Sequence, residues 1–186
     1  YMFTVNDEGA VIYGLGAIKG LGEGPVQAII DARKEGGDFS DLFDFCQRCV
    51  PRKVKKAHIE ALLEAGAFDL FGEDRSVLAA SLDQAIKAAE QQARNQAGGM
   101  TDLFGESLAP SADPEADPYA DFRNVKPWTV KRRLEGEKKT LGLYVTGHPI
   151  EEYESEIKQL VRNSLVNLRA DKQPQTMAGL VVAMRT

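Results

Sequence analysis

Glycines near the N-terminal end have the type and spacing that phosphate binding requires. Gly20, Gly22 and Gly24 are separated by single residues, and Pro25 follows at a position that suits the first turn of a helix. Glycine lacks a Cβ, so its backbone can adopt a positive φ and approach a phosphate closely. A helix behind the turn presents free N–H groups and the positive end of its dipole. The spacing therefore predicts a phosphate-binding turn.

The same stretch fits the helix-hairpin-helix pattern, in which a Gly-apolar-Gly turn joins two short helices. Val26 and Ile29 are the apolar residues that return four and seven positions after the second glycine, Gly22. Such a turn holds one strand of duplex DNA through backbone groups and does not read bases. This type of contact is compatible with a net charge of −5. A plain glycine-rich connector is the alternative. We predict phosphate contacts at Lys19, Gly20, Leu21, Gly22 and Gly24.

A basic run further along the chain could also contact phosphates. Arg52, Lys53, Lys55, Lys56 and His58 place five potentially positive groups within seven residues. We include the first four among the predicted phosphate contacts, although a solvated helix face is the usual explanation of such a run. The following segment, 63–72, contains two more glycines and could be a second, degenerate hairpin. A plain turn between helices explains that segment equally well.

Two other functions compete with DNA holding. Gly14, Gly16 and Gly20 have dinucleotide-fingerprint spacing, but that function needs a βαβ unit, whereas residues 39–49 have a helical pattern. A helix-hairpin-helix base-excision glycosylase needs a catalytic aspartate beyond the hairpin. The candidates for it are Asp38, Asp41 and Asp44.

The pair Cys46 and Cys49 has the spacing of metal ligands and of redox motifs. A structural zinc site needs four ligands, and the chain offers only His58 and His148 besides, far apart in sequence. The pair also falls at the end of a predicted helix rather than at its beginning, where redox cysteines are activated. We therefore predict two core thiols and no metal site.

Hydrophobic periodicity predicts a mainly α fold that begins with a short β-hairpin over residues 3–13. Helices are predicted at about 25–35, 41–49 with Ser40 as N-cap, 54–64, 74–97 and 129–143, with another after Pro149. Residues 98–126 are rich in Pro, Ala, Asp and Ser, which predicts an acidic linker. Residues 177–184 are predicted to form one β-strand that lacks partners. The first residue, Tyr1, and this unpaired strand suggest a piece of a longer protein.

The sequence has no apolar run that approaches the length of about 20 residues needed to cross a bilayer. Only two cysteines are present, which agrees with a reducing compartment. Together these features predict a soluble, cytoplasmic protein without membrane contact. Within the polar linker, Leu103 and Phe104 are adjacent large apolar residues. Their exposure would require a partner, and packing on the chain's own helices is the alternative.

Five motifs in this order resemble the alpha-subunit family of bacterial DNA polymerase III. They are Tyr13–Gly24, Asp41–Cys46, Ala65–Asp69, Asp102–Gly105 and Gly136–Pro149. The resemblance implies a DNA-directed DNA polymerase as parent, with Mg²⁺ bound by palm carboxylates outside this segment. No catalytic residue, metal or other cofactor is therefore assigned here. The implied partners are duplex DNA, the sliding clamp (the beta subunit) and other subunits of the holoenzyme.

The resemblance also implies a division of the chain. Residues 1–16 would end the fingers region, 17–97 form a tandem helix-hairpin-helix region, 98–126 hold the clamp-binding peptide and linker, 127–172 form a helical connector, and 173–186 begin an OB domain. The family's clamp-binding pentapeptide has the pattern Gln-x-Asp/Ser-Leu/Met-Phe. It maps onto Met100, Thr101, Asp102, Leu103 and Phe104, with Met100 where the family has Gln.

Overall fold

Two units make up the chain, Tyr1–Leu143 and Tyr144–Thr186. The computed structural model describes residues 2–97, 117–161, 165–181 and 184. The first unit begins with an antiparallel pair, β1 (Thr4–Val5) and β2 (Val11–Ile12), in which Val5 lies opposite Val11. The turn between the strands contains Gly9 at φ 79°. The predicted N-terminal β-hairpin is therefore confirmed.

Among the described residues of this unit, five α-helices follow and confirm the mainly α prediction. They are α1 (Glu23–Gly36), α2 (Leu42–Cys49), α3 (Lys56–Ala65), α4 (Arg75–Ala97) and α5 (Val130–Leu141). The N-cap predicted for α2 was wrong by one residue, because Asp41 rather than Ser40 accepts the hydrogen bond from the Asp44 N–H, at 2.8 Å. The sequence predicts Gly66 as the stop of the third helix, and Gly66 does end α3, in a left-handed conformation.

The helices enclose one apolar core, to which α2 contributes a completely buried face. Leu42, Cys46 and Cys49 have no exposed surface, and Phe45 is 2% exposed. The hydrophobic pattern predicts Leu42, Phe43, Cys46 and Cys49 on this face, but Phe43 is only half-buried. The pattern misses Phe45, which packs edge-on against Phe39 and Phe68. Burial raises the pKa of each thiol to about 12. The cysteines are thus core residues, as predicted.

The last part of the predicted acidic linker packs against the helices. Tyr119 is 5% exposed, and its hydroxyl accepts a hydrogen bond from the Leu42 N–H at 3.0 Å, which satisfies the first amide of α2. Phe122 and Val125 also pack on the core. The composition of residues 98–126 predicts a linker that buries little surface, and this prediction is wrong for residues 117–125. Its average composition is polar, but a few large apolar side chains suffice to attach it.

The second unit contains a 3₁₀ helix at Pro149–Tyr153 that continues into α6 (Glu154–Leu160), and a further 3₁₀ turn at Leu165–Asn167. The helix predicted after Pro149 is confirmed. Residues 177–181 and 184 are not in a β-strand, which contradicts the predicted strand over the residues that the structure describes. A lone strand has no neighbour to receive its backbone hydrogen bonds. Within the described ranges, no helix is long and apolar enough to cross a membrane.

Candidate nucleic-acid interface

The glycine turn at residues 19–24, called the open turn below, is anchored to the core by two buried side chains. Ile18 and Leu21 are 4% and 5% exposed and lie in the core. Gly20 between them has φ 90°, a conformation that side chains disfavour. The chain then enters α1 with Gly22 as its N-cap. The helix expected before the turn is only a 3₁₀ turn, Leu15–Ala17.

The exposed face of the open turn is mainly glycine backbone, with Lys19 and Glu23 as its exposed charged residues. Lys19, Gly20, Gly22 and Gly24 are exposed, and Gly22 gives α1 no side-chain cap. The first N–H groups of a helix have no partner inside it, so those of the first turn of α1 remain available to a ligand. Leu21 differs from the other predicted contacts, because its side chain is buried and its N–H donates to the Ile18 carbonyl at 3.1 Å. Its role is to anchor the turn.

The fold itself does not require glycine at Gly22. Its backbone is extended, with φ −75° and ψ 170°, and a Cβ there would meet nothing within 4 Å. Gly24 likewise has open space around its Cα. The bare surface at these two positions therefore has no explanation in the packing of the described residues.

The basic run at residues 52–58 is less available than its composition suggests. Arg52 pairs with Glu35 through two hydrogen bonds, and Lys56 donates to Asp83 at 2.6 Å. Burial and the charge of Lys55 lower the pKa of His58 below its usual value of 6.5, and its Nδ1 accepts a hydrogen bond from the Lys55 N–H. Two of the four predicted cationic contacts are thus already paired with acids.

The second glycine turn, Gly66–Gly72, called the closed turn below, is filled by the protein's own side chains. Gly66 has φ 79°, and a Cβ there would lie 2.1 Å from Nη2 of Arg75 and 2.8 Å from Oδ2 of Asp69. Arg75 donates two hydrogen bonds to Asp69, at 2.6 and 2.7 Å, and a third to the buried Glu137 at 3.1 Å. The possible second hairpin therefore leaves no room for a phosphate at Gly66.

A groove of about 680 Å³ opens beside the open turn. Lys19 and Gly20 form part of its lining, and the rest comes from α3, from Ala79 and Leu82 of α4, from α5, and from Trp128, two residues before α5. The lining contains six charged side chains, namely Lys19, Lys56, Glu60, Glu64, Arg132 and Lys139. Of the predicted sites, the structure brings Lys19, Gly20 and Lys56 together here, whereas Arg52, Lys53 and Lys55 are not in the lining. Sequence reasoning missed the contribution of α5.

Backbone and side-chain contacts fix α5 against the open turn. The Lys19 N–H donates to the Thr140 carbonyl at 2.9 Å, and the Tyr13 hydroxyl donates to the Leu141 carbonyl at 2.9 Å. On α3, Glu64 accepts hydrogen bonds from Arg132 and Lys139, each at 2.8 Å.

Gly136 permits this close approach, since a Cβ there would lie 3.2 Å from the Cβ of Glu64. The basic side of α5 is therefore held in a fixed position next to the turn. Burial raises the pKa of Glu64, but the two hydrogen bonds outweigh it and lower the pKa overall.

The geometry gives little support to the two competing functions. β1 and β2 are an antiparallel hairpin, and the described residues 15–49 form a 3₁₀ turn and two helices instead of the βαβ unit of a dinucleotide site. Of the candidate glycosylase aspartates, Asp41 caps α2, and Asp44 accepts from Arg48 at 3.0 Å. Within the described ranges, no three His, Cys, Asp or Glu residues are grouped to hold a metal ion. The predicted clamp-binding residues 100–104 lie outside those ranges.

Comparison with known proteins agrees with the geometry of the turn. A family profile described as "Helix-hairpin-helix motif" matches residues 1–78. Proteins named DNA polymerase III subunit alpha are similar over the whole chain. The one from Pseudomonas aeruginosa is 49% identical, that from Vibrio cholerae 47% and that from Escherichia coli strain K12 46%, each aligned with 100% of the chain. The chain spans 16 or 17% of the length of these relatives.

Family membership thus follows from similarity along the entire chain. The matched residues include both the open turn and α5, which together form the groove described above. The motif at residues 136–149, one of the five that resemble the family, lies within the same alignment. The chain belongs, as a segment with a helix-hairpin-helix motif, to the DNA polymerase III alpha-subunit family.

Proposed function

We propose that this chain holds duplex DNA, without sequence preference, as part of a replicative polymerase. The observation that carries the proposal is the exposed N-terminus of α1, which has no side-chain cap, behind a glycine turn at positive φ. Such a backbone surface accepts a phosphate oxygen from any nucleotide, because it contacts the sugar–phosphate strand and no base edge. The helix-hairpin-helix match over residues 1–78 supports the same function.

The charges at the interface predict weak binding that depends strongly on salt. Lys19 has no ion-pair partner among the described residues, and Lys53 and Lys55 are exposed. Arg52 and Lys56 can contribute fully only if they exchange their carboxylate partners for phosphate. Each phosphate neutralised by a cation releases counterions, so affinity falls as salt rises.

The test is a titration of labelled duplex DNA with the chain at two salt concentrations. In Gly22→Glu, a carboxylate replaces open space at the turn, and we expect affinity to fall several-fold. Gly22→Ser is the uncharged variant at the same position. Its hydroxyl can accept from the Gly24 N–H and compete with a phosphate for that group, so we expect a smaller loss.

A charge control keeps this test specific. Gln92→Glu adds the same charge at an exposed position of α4 and should bind as the original chain does. Equal affinity for the original chain and a folded Gly22→Glu variant would exclude the open turn from the DNA site. Binding that differs strongly between duplex sequences would contradict backbone recognition.

We further propose that residues 100–104 bind the sliding clamp. The support is the family's pentapeptide pattern, with Leu103 and Phe104 as apolar anchors. Burying each should contribute roughly 1.5 to 3 kcal/mol, and ordering the peptide offsets part of that. A weak contact suffices when the clamp encircles the DNA that the open turn holds, because the effective concentration is then high.

The clamp proposal is tested with the purified clamp of a related bacterium. We expect Leu103→Ala with Phe104→Ala to abolish binding while helicity and DNA binding stay unchanged. Met100→Gln, which restores the family's residue, should strengthen binding. Undiminished capture of the clamp by the double variant would assign the contact to other residues.

For the parent protein we propose DNA-directed DNA polymerase activity, as the name of its relatives indicates. The resemblance to the family implies that the Mg²⁺ expected for that reaction is bound by palm carboxylates outside this segment. No chemical step is therefore assigned to a residue of this chain. Association with other holoenzyme subunits and a cytoplasmic location remain predictions for the parent.

A further inference from the structure

We infer that the groove between the open turn and α5 is a second binding site for the DNA backbone, with Lys139, Arg132 and Lys19 as its phosphate ligands. The inference rests on the proposed function, because it extends the path of the strand that the open turn holds. It adds a helix, α5, that lies outside the 1–78 region matched by the helix-hairpin-helix family.

The charge of the groove favours a polyanion. Its lining holds four cationic and two acidic side chains in a chain whose net charge is −5. Lys56 is paired with Asp83, which lies outside the lining, so three cations remain against two carboxylates. The side chains of Lys139 and Arg132 remain 72% and 46% exposed although both contact Glu64. One carboxylate thus serves two cations, which leaves an excess positive charge at an accessible surface.

The position of the groove favours DNA over a free small anion. Lys19 and Gly20 belong both to the open turn and to the lining of the groove, so the two surfaces are contiguous. The hydrogen bond from Lys19 to Thr140 keeps this junction fixed. Consecutive phosphates of one strand could therefore contact the turn and then α5.

Glu64 determines how readily the groove accepts a phosphate. Its side chain is 11% exposed and accepts hydrogen bonds from both Arg132 and Lys139. A phosphate entering the groove offers the same kind of oxygen acceptor to these cations and so competes with the carboxylate. Removing the negative charge of Glu64 should strengthen DNA binding, whereas a purely structural ion pair would give no gain.

Trp128 provides an internal reporter. It is the single tryptophan of the chain and lines the groove, and the Arg132 guanidinium lies 4.9 Å from the centre of its ring. Any ligand that draws Arg132 away alters the surroundings of the indole. Its fluorescence should therefore change as duplex DNA fills the groove, and this change should saturate together with DNA binding.

The first experiment compares two lysines of the same helix in the 186-residue chain. Lys139→Gln should weaken duplex binding several-fold and reduce the slope of log affinity against log salt by about one unit. Lys131→Gln removes the same charge from an exposed position of α5 that does not line the groove. It should leave both quantities nearly unchanged. Equal effects of the two substitutions would overturn the inference.

In the second experiment, the substitution should strengthen DNA binding instead of weakening it. Glu64→Gln keeps the size of the side chain and should raise the affinity for duplex DNA several-fold, even though it removes ion pairs from the fold. Helicity measured by circular dichroism verifies that the variant is folded. If a folded Glu64→Gln variant binds DNA no better than the original chain, phosphate does not compete for Arg132 and Lys139, and the groove is a structural contact.

These outcomes separate the groove from the open turn. Failure of the original chain to bind duplex DNA at all would overturn both proposals. DNA binding that responds to Gly22→Glu but not to Lys139→Gln, with constant Trp128 fluorescence, would overturn the groove alone. Loss of binding in both variants, with the fluorescence change retained only in the original chain, would support both sites.

Discussion

The open turn and the closed turn use the same residue type and end as opposite kinds of surface. Both have a glycine at positive φ, Gly20 at 90° and Gly66 at 79°. At the open turn a Cβ on Gly22 would meet nothing within 4 Å, whereas at the closed turn a Cβ on Gly66 would overlap Arg75. One turn presents backbone to a ligand, and the other presents it to an internal guanidinium.

The difference originates in the side chains that follow each turn. Behind the closed turn, Arg75 begins α4, and its guanidinium returns to Asp69 and reaches Glu137 of α5. At the open turn, α1 begins with Glu23, Gly24 and Pro25, and none of these three residues has a cationic side chain that could fill the space. A glycine pattern therefore indicates a close approach, and its neighbours decide whether a ligand or the protein itself makes it.

The largest expected effect comes from removing one of the acids that pair with Arg75 at the closed turn. Glu137 has no exposed surface and Arg75 is 7% exposed, so the pair is shielded from water. Removing one member of a buried pair typically costs 3–5 kcal/mol. Because Arg75 keeps Asp69, we expect Glu137→Gln to lower the free energy of unfolding by about 3 kcal/mol, at the lower end of that range. Urea denaturation followed by circular dichroism measures it.

A matched substitution lies two residues away on the same helix. Glu135 is exposed, so Glu135→Gln should change the free energy of unfolding by less than about 0.5 kcal/mol. If both variants were equally stable, the Arg75 network would not hold the closed turn, and the contrast between the two turns would lose its physical basis.

An intermediate effect is expected when each turn receives a serine. Gly66→Ser forces a side chain into a left-handed backbone, which costs about 1–2 kcal/mol. It also displaces a guanidinium that cannot move without leaving Asp69. Gly22→Ser should keep or slightly raise the thermal midpoint, since serine is the better N-cap at this extended position.

Thermal unfolding of the two serine variants, with DNA titration alongside, provides the comparison. We expect Gly66→Ser to lose stability and, once folded at low temperature, to retain DNA affinity. Gly22→Ser should keep its stability and lose part of its DNA affinity. A loss of stability at Gly22 as large as that at Gly66 would mean that the open turn is also filled by internal contacts.

Local features of the fold could be predicted from the sequence, and long-range pairings could not. Glycine at the end of α3, proline in the first turn of α1 and the apolar period of α4 all act within a few residues, and all were identified. The acid partners of Arg52 and Lys56 lie 17 and 27 residues away. A sequence run reveals the cations but not what neutralises them.

The interface predicted from the sequence lacked α5, because contacts between distant residues cannot be read from the sequence. Lys139 and Arg132 line the same groove as the open turn only because α5 returns to α3, where Glu64 lies 75 and 68 residues from them in the sequence. Tyr119 contacts the Leu42 amide across 77 residues, so the average composition of its segment concealed its burial. The positive charge of α5 was visible in the sequence, but its distance from the turn was not.

The smallest expected effect concerns pH and the start of α3, the helix that ends at the closed turn. Burial and Lys55 lower the pKa of His58 below 6.5, so the folded chain favours the neutral ring, whose Nδ1 accepts from the Lys55 N–H at 3.1 Å. The unfolded chain binds this proton more readily. Stability from His58 is therefore complete above pH 6.5 and declines as the pH falls below it.

A protonated ring could not accept that hydrogen bond, and a cation at a helix N-terminus is unfavourable. We expect the thermal midpoint to fall slightly more between pH 7.5 and 5.5 in the original chain than in His58→Gln, by less than the effect of Gly66→Ser. Comparison with the glutamine variant cancels the contribution of every other titrating group. If the original chain instead gained stability relative to His58→Gln on acidification, His58 would be a stabilising cation of the basic run, and its assignment as a neutral cap of α3 would be wrong.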